Sequence, residues 1–290
     1  MKNRSSLTAE YMALFRALES SRPVDSRLFN DPYAHLFLHE RRKVFCALAK
    51  VGLGRGFVES LLDRSAPGAR AAGIARTKWI DDEAEQAMAV VSQLVLLGAG
   101  FDTRAYRMPA AQQVNTFELD HPETSRAKQE ILQREFGSLP RRIRFVEIDF
   151  NRQSMNEALH CAGFDSSLAA CFIWEGVTNY LTADAIDESI RQIARAASGS
   201  ILLFTYIHRD VLDHPDRFFG ARNMVARLQS YGEPWTFGLY PESTQEYLAD
   251  RGLRLIEDLS VAEVWQGAGR PEQETRGYEF YRLASASVQH

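Results

Sequence analysis

The sequence predicts an α/β fold in which a mostly parallel sheet of seven strands carries helices on both faces. Two observations predict it. From residue 93 onward, short apolar runs alternate with stretches of helical periodicity, as expected for strands joined by helical crossovers. Residues 1–92 instead show apolar residues at helical spacing, as in LTAEYMALFRALE, and we expect them to form a helical extension that caps a core at 93–290.

The predicted elements follow one another with one long interruption. Strands are expected at 93–97, 114–119, 143–148, 169–174, 200–207, 253–259 and 278–284, and helices at 122–136, 152–161, 182–197, 210–229 and 242–251. A loop joins the last two strands, so their pairing should be antiparallel and lie at one edge of the sheet. The insertion at about 208–240, after the fifth strand, is rich in aromatic and turn residues, which fits either a lid over a binding site or an extra scaffold helix.

The composition disfavours several classes of partner and site. The chain has 290 residues and a formal net charge of −4 at pH 7, which disfavours a nucleic-acid partner. Its three cysteines, Cys46, Cys161 and Cys171, form no CxxC motif, so we expect neither a disulfide framework nor a metal site. We identify no secretory signal and no apolar run of about 18 residues, and expect a cytoplasmic protein without a membrane partner.

The first predicted strand ends in a glycine turn, within LVLLGAGFDTR. Gly98 and Gly100 allow the backbone to bend sharply and to approach a ligand closely. A dinucleotide fingerprint would require a third glycine where this chain has Thr103, which weakens the prediction of an NAD site. The GxG pattern after a strand still favours a nucleoside ligand, although a plain tight turn produces the same pattern.

Three acids follow three successive predicted strands: Asp120, Asp149 and Glu175. The carboxyl ends of parallel strands are where open α/β sheets bind ligands. Asp120 could accept hydrogen bonds from ribose hydroxyls, and Asp149 with the ring of Phe150 could frame an adenine. A ligand that combines a ribose, an adenine and a cationic amine, such as S-adenosylmethionine, would account for all three acids.

Structural roles stay open for these acids. Asp120 could cap the helix after Pro122, and Asp149 could be an acid of a surface turn. Glu118, on the second strand, is expected to pair with Arg104 in a structural ion pair.

A ligand that carries its own carboxylate needs a cation. Arg76, in ARTKWID, belongs to the segment that leads into the glycine strand, and its guanidinium could bind a carboxylate with two parallel hydrogen bonds. The alternative is an ion pair with Asp81 or Asp82.

Together these segments resemble the leucine carboxyl methyltransferase family. The motifs, in order, are ARTKWID, LVLLGAGFDTRAYR, FELDHPETSRAK, FVEIDF and WEGVTNYLT, and the resemblance runs from about Ser20 to Tyr206. It implies the class I methyltransferase fold, which is Rossmann-like, and S-adenosylmethionine as the cofactor. It also implies that a methyl group is transferred to a carboxylate oxygen.

The resemblance assigns roles to individual residues. It implies contacts with the methionine carboxylate for Arg76, the methionine part for Gly98 and the neighbouring Gly100, the ribose for Asp120, the adenine for Asp149 and Phe150, and the amino group for Glu175. Tyr180 and Tyr206 would lie beside the transferred methyl group or the acceptor, as catalytic residues. A basic residue of the N-terminal segment, Arg22 by its position, would also reach the cofactor.

The acceptor does not follow from these motifs. WEGVTNYL and FELDHPET are closer to the bacterial and fungal branch of the family, so we expect a small carboxylic acid, such as a polyketide-type intermediate. A protein C-terminus and a phenol are the alternatives, and a phenol would need a base, which His208 or His214 could supply. Trp235 and Phe237 fit either an acceptor pocket or the core. A dinucleotide oxidoreductase and a non-catalytic binding protein are the competing function classes.

Overall fold

The computed structural model describes residues 7–150, 152–230 and 232–289. The strands are β1 Gln93–Leu97, β2 Asn115–Asp120, β3 Ile143–Glu147, β4 Ala170–Trp174, β5 Ile201–Ile207, β6 Leu253–Ser260 and β7 Tyr281–Val288. They form one sheet in the order β3-β2-β1-β4-β5-β7-β6. The first five strands are parallel, and β7 runs antiparallel between β5 and β6. The predicted mostly parallel sheet of seven strands is confirmed.

Helices cover both faces of this sheet. The α-helices are α1 Leu7–Ser20, α2 Glu40–Ala49, α3 Gly52–Ser65, α4 Ala69–Met88, α5 Arg104–Arg107, α6 Pro122–Phe136, α7 Met155–Cys161, α8 Ala183–Ile193, α9 Asp210–Asp213, α10 Ala221–Ser230, α11 Thr244–Ala249 and α12 Val261–Gly267. Short 3-10 helices lie at Ala34–Phe37, Ala110–Gln113, Thr178–Tyr180, Pro215–Arg217, Pro241–Ser243 and Glu272–Thr275.

Some predicted bounds differ from the structure for identifiable reasons. The helix predicted at 210–229 is divided into α9, a 3-10 turn and α10, because Pro215 and the left-handed Gly220 interrupt it. The last strand begins at Tyr281 because residues 278–281 form a turn, in which the Tyr281 N–H donates to the Tyr278 carbonyl oxygen at 2.9 Å. The helix α12 is absent from the predicted elements, although a capping box between Ser260 and Glu263 opens it.

The N-terminal helices pack directly on the sheet. Gly73 of α4 faces α1, where a Cβ atom would stand 2.9 Å from the Phe15 ring. One continuous hydrophobic cluster includes Leu14 of α1, Ile80 of α4 and Leu94 of β1. The boundary predicted at residue 92 therefore lies within a continuous core, and the division of the chain into two parts stays a prediction.

The strand order reverses beside β1, which lies between β2 and β4. The chain moves outward from β1 to β3 on one side and from β4 to β5 on the other. Crevices at such reversals, outside the carboxyl ends of the strands, are the ligand sites of open α/β sheets. We therefore expect a ligand site at the loops that follow Leu97 of β1 and Trp174 of β4.

Candidate functional site

A cavity of about 640 Å³ lies over the carboxyl ends of β1 and β4. Its sheet half consists of Arg76 of α4, residues 96–102, Asp120 and residues 175–177. Its outer half is formed by α1, the end of α3, α10 and the segment before β7, with lining residues such as Met12, Leu62, Met224, Leu228, Trp235 and Tyr278. The insertion after β5 thus contributes one wall through α10. A cavity of this size suits small-molecule ligands.

The glycine turn after β1 forms the floor of the sheet half. The N–H groups of Gly98 and Ala99 both donate to the Leu119 carbonyl oxygen, at 2.8 and 3.0 Å, which ties the turn to the end of β2. Gly98 has a φ of +68°, and a Cβ atom there would stand 2.5 Å from Val177 Cγ2. A side chain at position 98 would therefore strain the backbone and collide with the loop after β4.

Asp120 lines the cavity at the end of β2. Its carboxylate accepts hydrogen bonds from the N–H of Gly100 and, at 2.7 Å, from the N–H of His121. Burial raises the pKa of Asp120, and the two N–H groups lower it by less, so that the carboxyl pKa lies above its usual value. The alternative role as a helix cap is not observed, since His121 occupies the N-cap position of α6.

Glu175 follows β4 and carries the strongest charge interactions of the sheet half. Its carboxylate accepts from Arg104 Nη1 at 2.7 Å and from Arg76 Nε at 3.2 Å. Burial raises the pKa of Glu175, but the guanidinium groups of Arg104 and Arg76 outweigh burial and hold the pKa below its usual value. Glu175 is therefore a fixed negative charge on the cavity wall.

Arg104 forms ion pairs with Glu175 and with two further acids. Its side chain is 2% exposed, and it also donates to Asp81 at 2.8 Å and to Asp102 at 2.6 Å. Burial alone would raise the pKa of Asp102, but the charges of Arg104, Lys128 and Arg16 and the N–H of Arg104 together outweigh burial and lower that pKa to about 2.

The predicted pairing of Arg104 with Glu118 is wrong. Lys128 of α6 lies 2.7 Å from the Glu118 carboxylate instead. Arg104 begins α5 and reaches toward α4 and β4, whereas Glu118 points from β2 into the α6 side of the sheet.

Arg76 reaches the cavity from α4. Its guanidinium lies 4.8 Å above the Tyr281 ring, and its ion pair is with Glu175 rather than with Asp81 or Asp82. Gly176 permits this approach, because a Cβ atom there would stand 3.2 Å from Arg76 Nη2. Within the described residues, Nη1 and Nη2 of Arg76 donate no hydrogen bond, which leaves them available to a ligand.

Aromatic side chains join the sheet half to the outer half. The rings of Tyr180 and Trp235 meet edge to face at 6.5 Å, and Tyr281 stacks on Tyr278 at the same centroid distance. The Tyr281 hydroxyl donates to Asn179 Oδ1 at 3.1 Å. Burial raises the pKa of Tyr281 to about 12 and also raises the pKa values of Tyr180 and Tyr278. At neutral pH these hydroxyls are protonated and can donate but not act as bases.

Tyr206 lies outside the cavity, contrary to its predicted position beside the acceptor. Strand alternation points its side chain to the opposite face of the sheet, where its hydroxyl donates to Asp258 at 2.5 Å and receives a hydrogen bond from Thr244 at 3.0 Å. The sequence could not reveal this, because a shift of one position along β5 reverses the face. We therefore assign Tyr206 a structural role.

Asp149 and Phe150 also lie outside the cavity lining. The Asp149 N–H donates to Gln153 at 2.8 Å, and the Phe150 ring packs on the core beneath β3. Their assignment to adenine stays a prediction.

Among the described residues of α1 and the turn that follows it, Arg16 lines the cavity and the predicted Arg22 does not. Arg22 pairs instead with Glu19 and Glu59. Arg16 donates to Asp31 at 2.8 Å and to the Phe101 carbonyl oxygen at 2.6 Å. Periodicity could not single out Arg16, because every residue of α1 from Ala13 to Glu19 is buried.

Of the other residues that the sequence suggested for the acceptor site, one lines the cavity and the others do not. Trp235 lines the cavity, whereas Phe237 packs against Tyr247 in the core. Neither His208 nor His214 lines the cavity. Within residues 7–150, 152–230 and 232–289, no group of side chains could hold a metal ion, and no helix is long and apolar enough to cross a bilayer.

The sequence matches the family model described as leucine carboxyl methyltransferase over residues 9–194. This chain belongs to the leucine carboxyl methyltransferase family. The matched segment contains the glycine turn and the three acids, Asp120, Asp149 and Glu175, that follow strands. The family resemblance inferred from the motifs is confirmed.

Two relatives in this family carry the same name, "Putative S-adenosyl-L-methionine-dependent methyltransferase". The protein from Streptomyces coelicolor is 34% identical over 212 residues, which cover 71% of this chain and 70% of that protein. The protein from Mycolicibacterium smegmatis is 37% identical over 188 residues, which cover 61% of this chain and 58% of that protein. The match therefore spans less than two thirds of the second relative.

Two solved structures share the fold over nearly the whole chain. The "putative methyltransferase" from Thermobifida fusca YX has a TM-score of 0.61 at 16% identity and covers 100% of this chain and 97% of its own. A DUF574 family protein from Streptomyces avermitilis MA-4680 has a TM-score of 0.59 at 13% identity, with 95% and 97% coverage. The methyltransferase fold predicted from the motifs is confirmed.

Proposed function

We propose that this protein transfers a methyl group from S-adenosylmethionine to a carboxylate oxygen of a small molecule, which gives a methyl ester and S-adenosylhomocysteine. That it is an S-adenosylmethionine-dependent methyltransferase follows from its family and from its relatives. The class of acceptor is the new part of the proposal, and it rests on the outer half of the cavity.

The sheet half fits the cofactor by its chemistry. Asp120 offers carboxylate oxygens to ribose hydroxyls, and Glu175 offers a fixed negative charge to an ammonium group. The free Nη groups of Arg76 suit the carboxylate of the amino-acid part. Gly98 leaves the floor open, since a side chain at that position would clash with Val177.

When bound, S-adenosylmethionine supplies an electrophilic methyl group on a sulfonium. The chain's own contribution is to bind, to orient and to exclude water. Glu175 is held in place by two arginines, so it needs little rearrangement on binding. Tyr180, Tyr281 and Trp235 form an apolar wall between the two halves and limit the access of water.

One observation carries the choice of a carboxylate acceptor. The outer half of the cavity contains no aspartate, glutamate or histidine among the described residues that line it. Burial raises the pKa values of Tyr180, Tyr278 and Tyr281, so these three hydroxyls are protonated at neutral pH. A phenol or alcohol acceptor would usually need a base, whereas a carboxylate is already ionised at pH 7.

The cavity also favours a small acceptor over a protein C-terminus. Its volume of about 640 Å³ must hold both the cofactor and the acceptor group, and it is closed on one side by α1 and on another by α10. This size is typical of small-molecule sites.

A panel of acceptors tests the proposal. The wild-type enzyme with S-adenosylmethionine is offered small carboxylic acids, their primary amides, matched phenols and peptides with a free C-terminus, and S-adenosylhomocysteine formation is measured. We expect base-labile methyl esters from small acids and no product from the amides. Methylation of phenols alone, or of peptides alone, would contradict the proposal.

A further inference from the structure

Three arginines lie around the mouth of the outer half, on three different segments. Arg64 lies in the last turn of α3, Arg227 lies on α10, and Arg276 precedes β7. Arg64 and Arg227 line the cavity, and Arg276 lies 4.3 Å above the ring of Phe219, which also lines it. We call Arg64, Arg227 and Arg276 the arginine rim.

Backbone contacts hold the three segments together. Arg227 Nη1 donates to the Ser65 carbonyl oxygen at 3.1 Å, which joins α10 to the residue after Arg64. A Cβ atom on Gly68 would stand 2.7 Å from the Arg276 carbonyl oxygen, and one on Gly277 would stand 2.8 Å from the Pro67 carbonyl oxygen. The rim is therefore a built feature and not a set of unrelated surface residues.

The rim is not neutralised by the protein. Among the described residues, none of its three guanidinium groups has a carboxylate partner. The neighbouring acids, Asp63 and Glu274, are directed to the buried Arg70, at 2.8 and 3.6 Å. In a chain with a net charge of −4, this leaves an uncompensated positive site at the mouth of a ligand cavity.

The rim is separated from the part of the cavity where the cofactor groups bind. Arg76 contacts Tyr281, Tyr281 stacks on Tyr278, and Tyr278 belongs to the segment that carries Arg276. Two aromatic rings, Tyr281 and Tyr278, therefore lie between Arg76 and the segment that carries Arg276.

We propose that the arginine rim binds a second anionic group of the acceptor, a carboxylate or a phosphate, remote from the carboxylate that receives the methyl group. The inference rests on the proposed function and specifies its substrate class: an elongated acid with an apolar middle and an anion at each end. The apolar middle fits the aromatic wall between the two charged regions. Guanidinium groups recognise both carboxylate and phosphate with charge-assisted hydrogen bonds.

Calorimetry on the enzyme saturated with S-adenosylhomocysteine tests this inference. The probes are unbranched dicarboxylic acids of increasing chain length, their monomethyl esters, and acids of matched length that end in a phosphonate. We expect at least one diacid or phosphonate to bind about tenfold or more tightly than the monomethyl ester of the same length, which corresponds to about 1.4 kcal/mol. The tighter of the two identifies the anion.

The double variant Arg64→Gln with Arg227→Gln should lose this preference. A matched control is Arg144→Gln with Arg195→Gln, two exposed arginines outside the cavity whose removal changes the net charge equally. The control should keep the preference. Equal binding of diacid and monoester at every length, or a preference that survives in the rim variant, would overturn the inference.

Methyl transfer to the same probes separates this inference from the proposed function. Rim-dependent binding without any methyl ester would support the rim and contradict carboxyl methyl transfer. Methyl esters formed equally well from monoacids and diacids, with equal binding, would support the transfer and overturn the rim.

Discussion

The two halves of the cavity differ in whether their charged side chains have partners of opposite charge within the protein. In the sheet half, Glu175 and Asp102 are each engaged by the buried Arg104, so that the charges are paired before any ligand arrives. In the outer half the lining is aromatic and apolar, and the arginines of the rim lack carboxylate partners among the described residues. The difference supports the proposal that the sheet half binds the cofactor and that the outer half selects the acceptor.

The largest expected effect is at Glu175. The variant Glu175→Gln removes the negative charge that we propose binds the cofactor amine, so affinity for S-adenosylmethionine should fall by about 10- to 100-fold, the scale of about 1.5–3 kcal/mol for a hydrogen bond to a charged group. Calorimetric titration measures this. The control is Glu118→Gln, which also breaks a buried ion pair on the same sheet but lies outside the cavity. Equal losses of affinity in both variants would show that Glu175 acts only through stability.

The next effect concerns which part of the cofactor Arg76 recognises. We expect Arg76→Gln to weaken S-adenosylmethionine by about tenfold, or about 1.4 kcal/mol, and to leave 5′-methylthioadenosine, which lacks the amino-acid part, nearly unchanged. Competition binding with both ligands measures the difference. Equal weakening of both ligands would show that Arg76 does not bind the amino-acid part of the cofactor. It would also weaken the contrast between the two halves of the cavity.

The absence of a base among the described lining residues of the outer half predicts a flat pH profile. At saturating cofactor, the rate of methyl transfer to a carboxylic acid should be constant from about pH 6 to about pH 8. It should fall at lower pH, as the acceptor carboxylate, with an ordinary pKa of about 4, and Asp120, whose pKa is raised by burial, become protonated. Glu175, with its lowered pKa, stays charged, and Tyr281, with a pKa of about 12, stays neutral across that range. The variants His208→Ala and His214→Ala should give the same profile. A rate that rises with pH through this range and is lost in either histidine variant would indicate a base.

The smallest effect is expected at Tyr206. Its hydroxyl bonds to Asp258 and Thr244 on the far face of the sheet, so Tyr206→Phe should lower the free energy of unfolding by about 1 kcal/mol and leave kcat/KM unchanged. The matched variant Tyr180→Phe, inside the cavity, should lower kcat/KM by about two- to tenfold, the range of a single hydrogen bond. Chemical denaturation and steady-state kinetics compare the two. A larger kinetic loss for Tyr206→Phe would restore its predicted catalytic role.

Some residues of the cavity could be predicted from the sequence and others could not. Gly98, Asp120 and Glu175 could be placed at the site because parallel strands bring their carboxyl ends to one edge, so that position along the chain translates into position in space. Arg104, Tyr278 and Tyr281 could not, because their roles depend on how α5 and the segment before β7 pack against distant elements.

The charged side chains also show why ion pairs are hard to predict. Lys128 approaches Glu118 across the packing of α6 on β2, whereas Arg104 is the partner expected from the sequence. Arg16 lies within α1 and reaches the cavity, whereas Arg22 follows the end of α1 and pairs with Glu19 and Glu59. Both outcomes depend on helix orientation, which periodicity does not specify.

A crystal structure of the complex with S-adenosylhomocysteine tests the central claim most directly. We predict that the ribose hydroxyls contact Asp120, that the amino group contacts Glu175 and that the ligand carboxylate contacts Arg76, all within the sheet half. The same structure would show whether the adenine reaches Asp149 and Phe150. A ligand bound in the outer half, or at another surface, would contradict the account.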